Sequence, residues 1–242
     1  MKTISFQEAV RAYKEGNYQI VTDYIEQGNP LLQFNGDDLI EVELIYLVSS
    51  STSLNNSIIN LIAKGIDLNE TTNDQDRYSA VHFAAWDNKW DILEYLMKNG
   101  ADPNIKGEDG LSALYLACVN GNYESVKCLV DYGADVNQLY TGVGTVGLSD
   151  YFSREGGTVL RGAIVNIELE ISQYLIQHGA NVKELNKPCK GFVLDDSNLP
   201  TNDFFYIVKH NYLNNSRLQS SKSKENLSQI LTMIKNKNQE EF

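Results

Sequence analysis

Residues 76–104 read DRYSAVHFAAWDNKWDILEYLMKNGADPN, and residues 109–137 read DGLSALYLACVNGNYESVKCLVDYGADVN. The two segments share one register at an offset of 33 residues, and both close on Gly-Ala-Asp-x-Asn. Self-similarity at that interval means one small supersecondary unit stacked on copies of itself. A unit of this size cannot bury its apolar face alone, so its neighbours in sequence become its neighbours in space.

Each segment carries two short runs of helical apolar spacing. Ser79 and Ser112 precede the first run, where a hydroxyl can cap a helix start. Ala84-Ala85 and Ala117-Cys118 are small enough for neighbouring helices to approach closely. Ile92, Leu93, Leu96 and Met97, like Val126, Cys128, Leu129 and Val130, are expected to fill the layer behind. Gly100 and Gly133 end the second run, where a left-handed backbone closes a helix.

On these residues the pair resembles the ankyrin repeat, whose pattern is roughly D-G-x-T-P-L-H-x-A-A, then G-x-x-x-V-V-x-L-L, then G-A-D-V-N. The resemblance implies an all-α solenoid of helix-turn-helix units with hairpin loops. There are departures: the proline of the pattern is Ala80, Ala113 and Val159, and its histidine survives as His82 but becomes Tyr115 and Arg161. In the family that histidine ties the hairpin to the helix.

Outward from the pair the pattern weakens. An N-terminal unit at 5–35 places Ala12, Gly16 and Gly28 where Ala84, Asn88 and Gly100 fall, and Ser5 with Glu8 spells a capping box. A divergent unit at 36–70 keeps Gly65-Ile-Asp-Leu-Asn, with a first helix expected over Leu39 to Val48. The clear units are 74–107 and one ending near 137. A further unit, the fourth when the N-terminal capping unit is left out of the count, begins near 155, after 13 extra residues placed within Gln138 to Glu155. The array is expected to span 1–182, with 183–242 a helical C-terminal cap or extension. In that extension Asp203–Leu213 and Glu225–Ile234 have helical spacing, and the serine-rich Asn214–Lys224 reads as a flexible link.

Residues 1–182 hold 11 Lys/Arg against 25 Asp/Glu, and residues 183–242 hold 9 against 7. An acidic array repels phosphate backbones, which argues against nucleic acid and for a partner protein with a basic surface. The chain has no apolar run of membrane-spanning length and no apolar signal core at its start, so a cytoplasmic setting is expected. Cys118, Cys128 and Cys189 form no disulfide or metal pattern; the first two read as small buried hydrophobes.

No cofactor, metal or catalytic residue is expected. Gly142-Val-Gly-Thr-Val-Gly147 spells a phosphate-binding signature but lies in the insertion, without the strand and helix that motif needs. His82, His178 and His210 share no ligand spacing; His178 suits the end of a helix. What remains is surface. By the family's geometry the partner-facing residues are Asp76, Tyr78, Trp86, Asp87, Glu108, Asp109, Leu111, Asn120 and Tyr132, with Val119, Val165 and Asn166 beside them. Tyr140, Tyr151 and Phe152 add aromatic contacts from the insertion, whereas Trp90 is assigned to the core. The expected function is non-catalytic protein binding, of the inhibitor or immunity type. A scaffold or host-directed effector remains open, as does an enzyme site within 183–242. Oligomeric state is not legible.

Overall fold

The computed structural model describes residues 3–5, 8–9, 11–12, 15, 17, 19–20, 23–24, 27, 45, 48–49, 51–63, 65–72, 76–107, 110–140, 157–186 and 220–240. In chain order the elements are α1 (Asn56–Ala63), α2 (Ala80–Trp86), α3 (Trp90–Lys98), α4 (Ala113–Val119) and α5 (Tyr123–Asp131). There follow β1 (Leu139–Tyr140), β2 (Gly157–Thr158), α6 (Val159–Val165), α7 (Leu169–Gln177), a 3-10 turn (Val182–Asn186) and α8 (Ser221–Glu240). Helical residues also occur at 8–9, 11–12, 19–20, 23–24, 45 and 48–49.

Helices of seven to nine residues do not hold themselves in water, so packing must supply their stability. The first helices of successive units, α2, α4 and α6, stack on one another, and α3, α5 and α7 form a second layer behind them. α6 is buried along its whole length, and α4 is buried from Ala113 to Cys118. Ile92, Leu93, Leu96, Leu129, Ile171 and Leu175 fill the space between the layers with almost no exposure. Each such side chain contributes about 1.5–3 kcal/mol through burial. These are the small and apolar positions that the sequence pattern selects.

The second helices end alike. Gly100, Gly133 and Gly179 have φ of +92°, +89° and +92°. Their N–H groups donate to Met97, Val130 and Ile176, and those of Ala101, Ala134 and Ala180 donate to Leu96, Leu129 and Leu175. This is the paired Schellman closure. A β-carbon on any of the three glycines would meet nothing within 4 Å, so glycine is needed there for its backbone freedom, not for room.

The next residues explain Asp-x-Asn. Oδ1 of Asp102 accepts from the Asn104 N–H at 2.8 Å, bending the chain, and Asp135 does the same for Asn137 at 2.9 Å. Each asparagine then reaches the following unit. Oδ1 of Asn69, Asn104 and Asn137 accepts from the backbone N–H of Asp102, Asp135 and Asn181, each at 2.8 Å. Nδ2 of Asn104 and Asn137 donates onward to the Gly133 and Gly179 carbonyls. The ladder needs an acceptor and a donor on one short side chain, and among the described residues Asn137 is the last asparagine in it, with Lys183 in register one unit on.

The hairpins are pinned at their bases by Thr71 with Ser79, Lys106 with Ser112, and Leu139 with Thr158. Five residues lie within the second pair and eighteen within the third, which puts the 13 extra residues inside that hairpin. The interior of the insertion, 141–156, lies outside the described residues, as do Asp203–Leu213 and most of Leu39–Val48.

The N-terminal capping box forms: Ser5 Oγ accepts from the Glu8 N–H, and Glu8 Oε2 accepts from the Ser5 N–H, both at 3.2 Å. The C-terminal helix corrects one expectation. It starts at Ser221 and runs 20 residues, so the last part of the expected flexible link is helical. Ser220 caps it, its Oγ accepting from the Ser223 N–H at 3.0 Å. α8 packs on α7 and on the 3-10 turn, burying Ile230 and Ile234. Among the described residues no helix is long and apolar enough to cross a membrane.

Candidate partner-binding surface

Two helices joined by a three-residue turn run antiparallel, so the end of a first helix and the end of a second lie at opposite edges of the array. Trp86 ends α2, Val119 ends α4 and Val165 ends α6, which lines these positions along the turn edge. Trp86 is half-buried against the core, and Asp87 beside it is exposed. Asn120 is occupied structurally: its Nδ2 donates to the Trp86 carbonyl at 3.3 Å. Asn122 adds bonds of 2.8 Å to the Ala85 and Trp86 carbonyls, capping the end of α2 from the next unit. One unit earlier Lys89 does the same for Val48 and Ser49, while pairing with Asp87 at 2.8 Å. Asn166 is half-buried and turns Nδ2 onto its own helix at Gly162, and Val165 is buried.

The other expected residues do not join that edge. Tyr132 caps α5 at the opposite edge, 40% exposed. Asp76 is exposed on the hairpin. Tyr78 and Leu111 are corrections, for they are 8% and 6% exposed and belong to the core. The Tyr78 ring stacks on His82 with centroids 4.9 Å apart and meets Phe83 edge-on. Glu108, Asp109, Tyr151, Phe152 and the Gly142–Gly147 motif lie outside the described residues, and of Tyr140 only the backbone, in β1, is described.

Trp90 is the opposite correction. Assigned to the core, it is 51% exposed. Its counterpart Tyr123 is half-buried because Tyr174 of the next unit meets it edge-on at 5.8 Å. The residue in register with Tyr174, one unit back, is Cys128, too small to cover an indole. The comparison of those two positions was the signal available in the sequence. Trp86, Asp87 and Trp90 therefore frame one turn, with the chain's two tryptophans on either side of it.

His82 shows what the family's histidine does here. Its Nδ1 accepts from the Ser79 N–H at 3.1 Å and lies 2.9 Å from Ser79 Oγ, which leaves Nε2 to donate to the Leu111 carbonyl at 3.2 Å. Burial pushes its pKa down to about 4, against the opposing pull of hydrogen bonds to the Leu111 and Ile105 backbone. In the fourth unit Arg161 has the role: Nη2 donates to the carbonyls of Glu184 at 3.1 Å and Leu185 at 3.4 Å. Ile105 and Glu184 each lie 23 residues beyond the side chain that holds them. His178 ends α7 as expected, its Nδ1 donating to the Tyr174 carbonyl at 2.8 Å.

Neither described thiol is poised for chemistry. Burial raises Cys118 well above its ordinary range, and raises half-buried Cys128 to about 11 with help from Glu94 and Asp131. Both stay protonated at neutral pH. Among the described residues no three His, Cys, Asp or Glu side chains gather where they could hold a metal ion.

A family profile described as ankyrin repeats (3 copies) matches residues 44–140 and 108–186. The chain belongs to the ankyrin-repeat family. It is similar to alpha-latrocrustotoxin-Lt1a of Latrodectus tredecimguttatus, 36% identical over 123 residues, which are 50% of this chain and 8% of that protein. It is similar also to a putative ankyrin repeat-containing protein of Treponema pallidum (strain Nichols), 35% identical over 75 residues, 31% of this chain and 25% of that one. A third relative is putative ankyrin repeat protein L371 of Acanthamoeba polyphaga mimivirus, 30% identical over 124 residues, covering 50% and 14%. The chain thus spans a quarter or less of the length of these relatives. Ankyrin arrays are protein-binding modules, and that is the coarse function of this one.

Proposed function

We propose that this ankyrin array occupies a basic site on a partner protein, as an inhibitor or immunity-type protein does, and performs no chemistry of its own. One observation carries the reading: residues 1–182 hold 25 acidic against 11 basic side chains, while the fold itself requires no such imbalance. Carboxylates concentrated on a rigid array steer a cationic partner and raise its association rate. The turn edge supplies the anchor, because Trp86 and Trp90 present large aromatic surface beside Asp87. The residues that carry most of an interface's binding energy are enriched in Trp, Tyr and Arg.

Affinity capture with the full chain, followed by identification of what is retained and a test of that protein's activity, decides the matter. The reading expects a basic protein whose activity falls when bound and whose association slows steeply with added salt. A partner that binds without losing activity makes the array a scaffold or effector. Salt-independent association removes the role given to the acidic surface.

A further inference from the structure

The turn between α6 and α7 departs from its counterparts in two adjacent residues. Asn88 and Gly121 take left-handed φ of +55° and +71°, in keeping with their residue types, but the third position is Ile167 at +60°. A β-branched residue there is strained, and strain of this kind gathers at elements that switch. The next residue, Glu168, stands in register with Lys89 and Asn122, the two side chains that donate to the last carbonyls of the preceding first helix. Glu168 reaches the corresponding place: a β-carbon built on Gly121, just past α4, would lie 2.8 Å from its Oε1. A carboxylate has nothing to donate, and it brings negative charge to the negative end of a helix.

We propose that Glu168 makes the joint between the third and fourth units acid-responsive, loose when the carboxylate is charged and closed onto the end of α4 when it is protonated. In the protonated form the carboxyl O–H can donate to the helix end as Asn122 does for α2. The charged form has no such partner, for among the described residues no side chain or backbone group donates a hydrogen bond to it. The groups that bear on it are Glu170 on α7, Lys222 on α8 and the Cys118 thiol of α4. Burial and then Glu170 raise its pKa, and Lys222 opposes them. A carboxyl whose folded pKa lies above its unfolded value binds more protons when folded, so the joint gains stability as pH falls through the raised range and loses it as pH rises. The unit beyond the joint carries α8 with it, since α8 packs on α7.

Thermal unfolding of the full chain and of E168Q, between pH 7.5 and pH 4.5, tests this. At pH 7.5 E168Q should melt about 2–4 °C above the natural chain, and the gap should close as pH falls. Hydrogen exchange read on α4 and α6 relative to α3 should show the same convergence locally. E168N, which restores the residue type of Asn122, should behave like E168Q. K222Q should widen the gap at neutral pH, because it removes the counter-charge. A gap that stays constant with pH, or E168Q and E168N both melting below the natural chain throughout, overturns the proposal.

Discussion

The ring of Tyr78 lies against Gly107, so closely that a β-carbon there would sit 2.5 Å from Tyr78 Cε1 and 2.7 Å from the Asp76 carbonyl oxygen. The glycine lets the hairpin backbone cover an aromatic ring that would otherwise be exposed. Neither neighbour can retreat, one being backbone and the other a ring fixed by its stack on His82. Gly107→Ala should therefore destabilise the protein by about 1–3 kcal/mol, the range for overpacking. Tyr78→Ala should cost about 3–5 kcal/mol, as loss of a buried ring does. Chemical denaturation measures both. If Tyr78→Ala keeps its stability and loses only partner affinity, the ring belongs to the interface after all.

The asparagine ladder couples units that otherwise meet through apolar contact. Asn104 accepts from Asp135 N–H and donates to the Gly133 carbonyl, so Asn104→Ala strips two bonds from one joint. At about 0.5–1.5 kcal/mol for each bond, the loss should come to about 1–3 kcal/mol. Asn104→Asp keeps the acceptor and removes the donor, and should fall between the two. Equilibrium unfolding that shows no difference between Asn104→Ala and Asn104→Asp would mean that only the donated bond, to the Gly133 carbonyl, matters.

What the sequence revealed follows from how local each feature is. Gly100, Gly133 and Ala84-Ala85 announce helix ends and close packing because one residue's own conformation or size decides them. The Ser5–Glu8 box was legible for the same reason, and the Ser220 cap was equally local but hidden in a serine-rich run read as a link. Exposure is different, being set by what lies opposite. Tyr78 is covered through Gly107, 29 residues away, and Trp90 is uncovered because Cys128 stands where Tyr174 shields Tyr123. The fold was readable unit by unit. The candidate surface depends on pairs of units, and at the turn edge it kept Trp86 and Asp87 while gaining Trp90.

Trp90 is 51% exposed, so truncating it removes only part of an indole's packing. Trp90→Ala should cost about 1 kcal/mol or less in stability. If the turn edge anchors the partner, the same change weakens binding by about 2 kcal/mol or more. Tyr123→Ala is the control, since its contact with Tyr174 makes it a packing residue: it should lower the melting temperature. Titration calorimetry with the captured partner separates the two. Unchanged affinity in Trp90→Ala would move the interface away from the turn edge.

His82 should give the array a pH dependence of the opposite sign to that of Glu168. Its folded pKa of about 4 lies below the ordinary 6.5, because burial penalises the charged ring by more than the hydrogen bonds to the Leu111 and Ile105 backbone favour it. Between those two values the unfolded chain binds the extra proton, so stability rises with pH there. The contribution is complete above the unfolded value and is lost as pH falls from 6.5 toward about 4. At 1.36 kcal/mol for each unit, the loss across that window is about 3 kcal/mol. Carboxylates also titrate toward the lower end of this range, so the measurement is the difference between the natural chain and His82→Gln, which cannot titrate. Urea unfolding at pH 7, 5.5 and 4.5 should show the natural chain's advantage shrinking at each step. A difference that holds constant across the three would mean that the ring titrates alike in the folded and unfolded chain, and so is not buried as described.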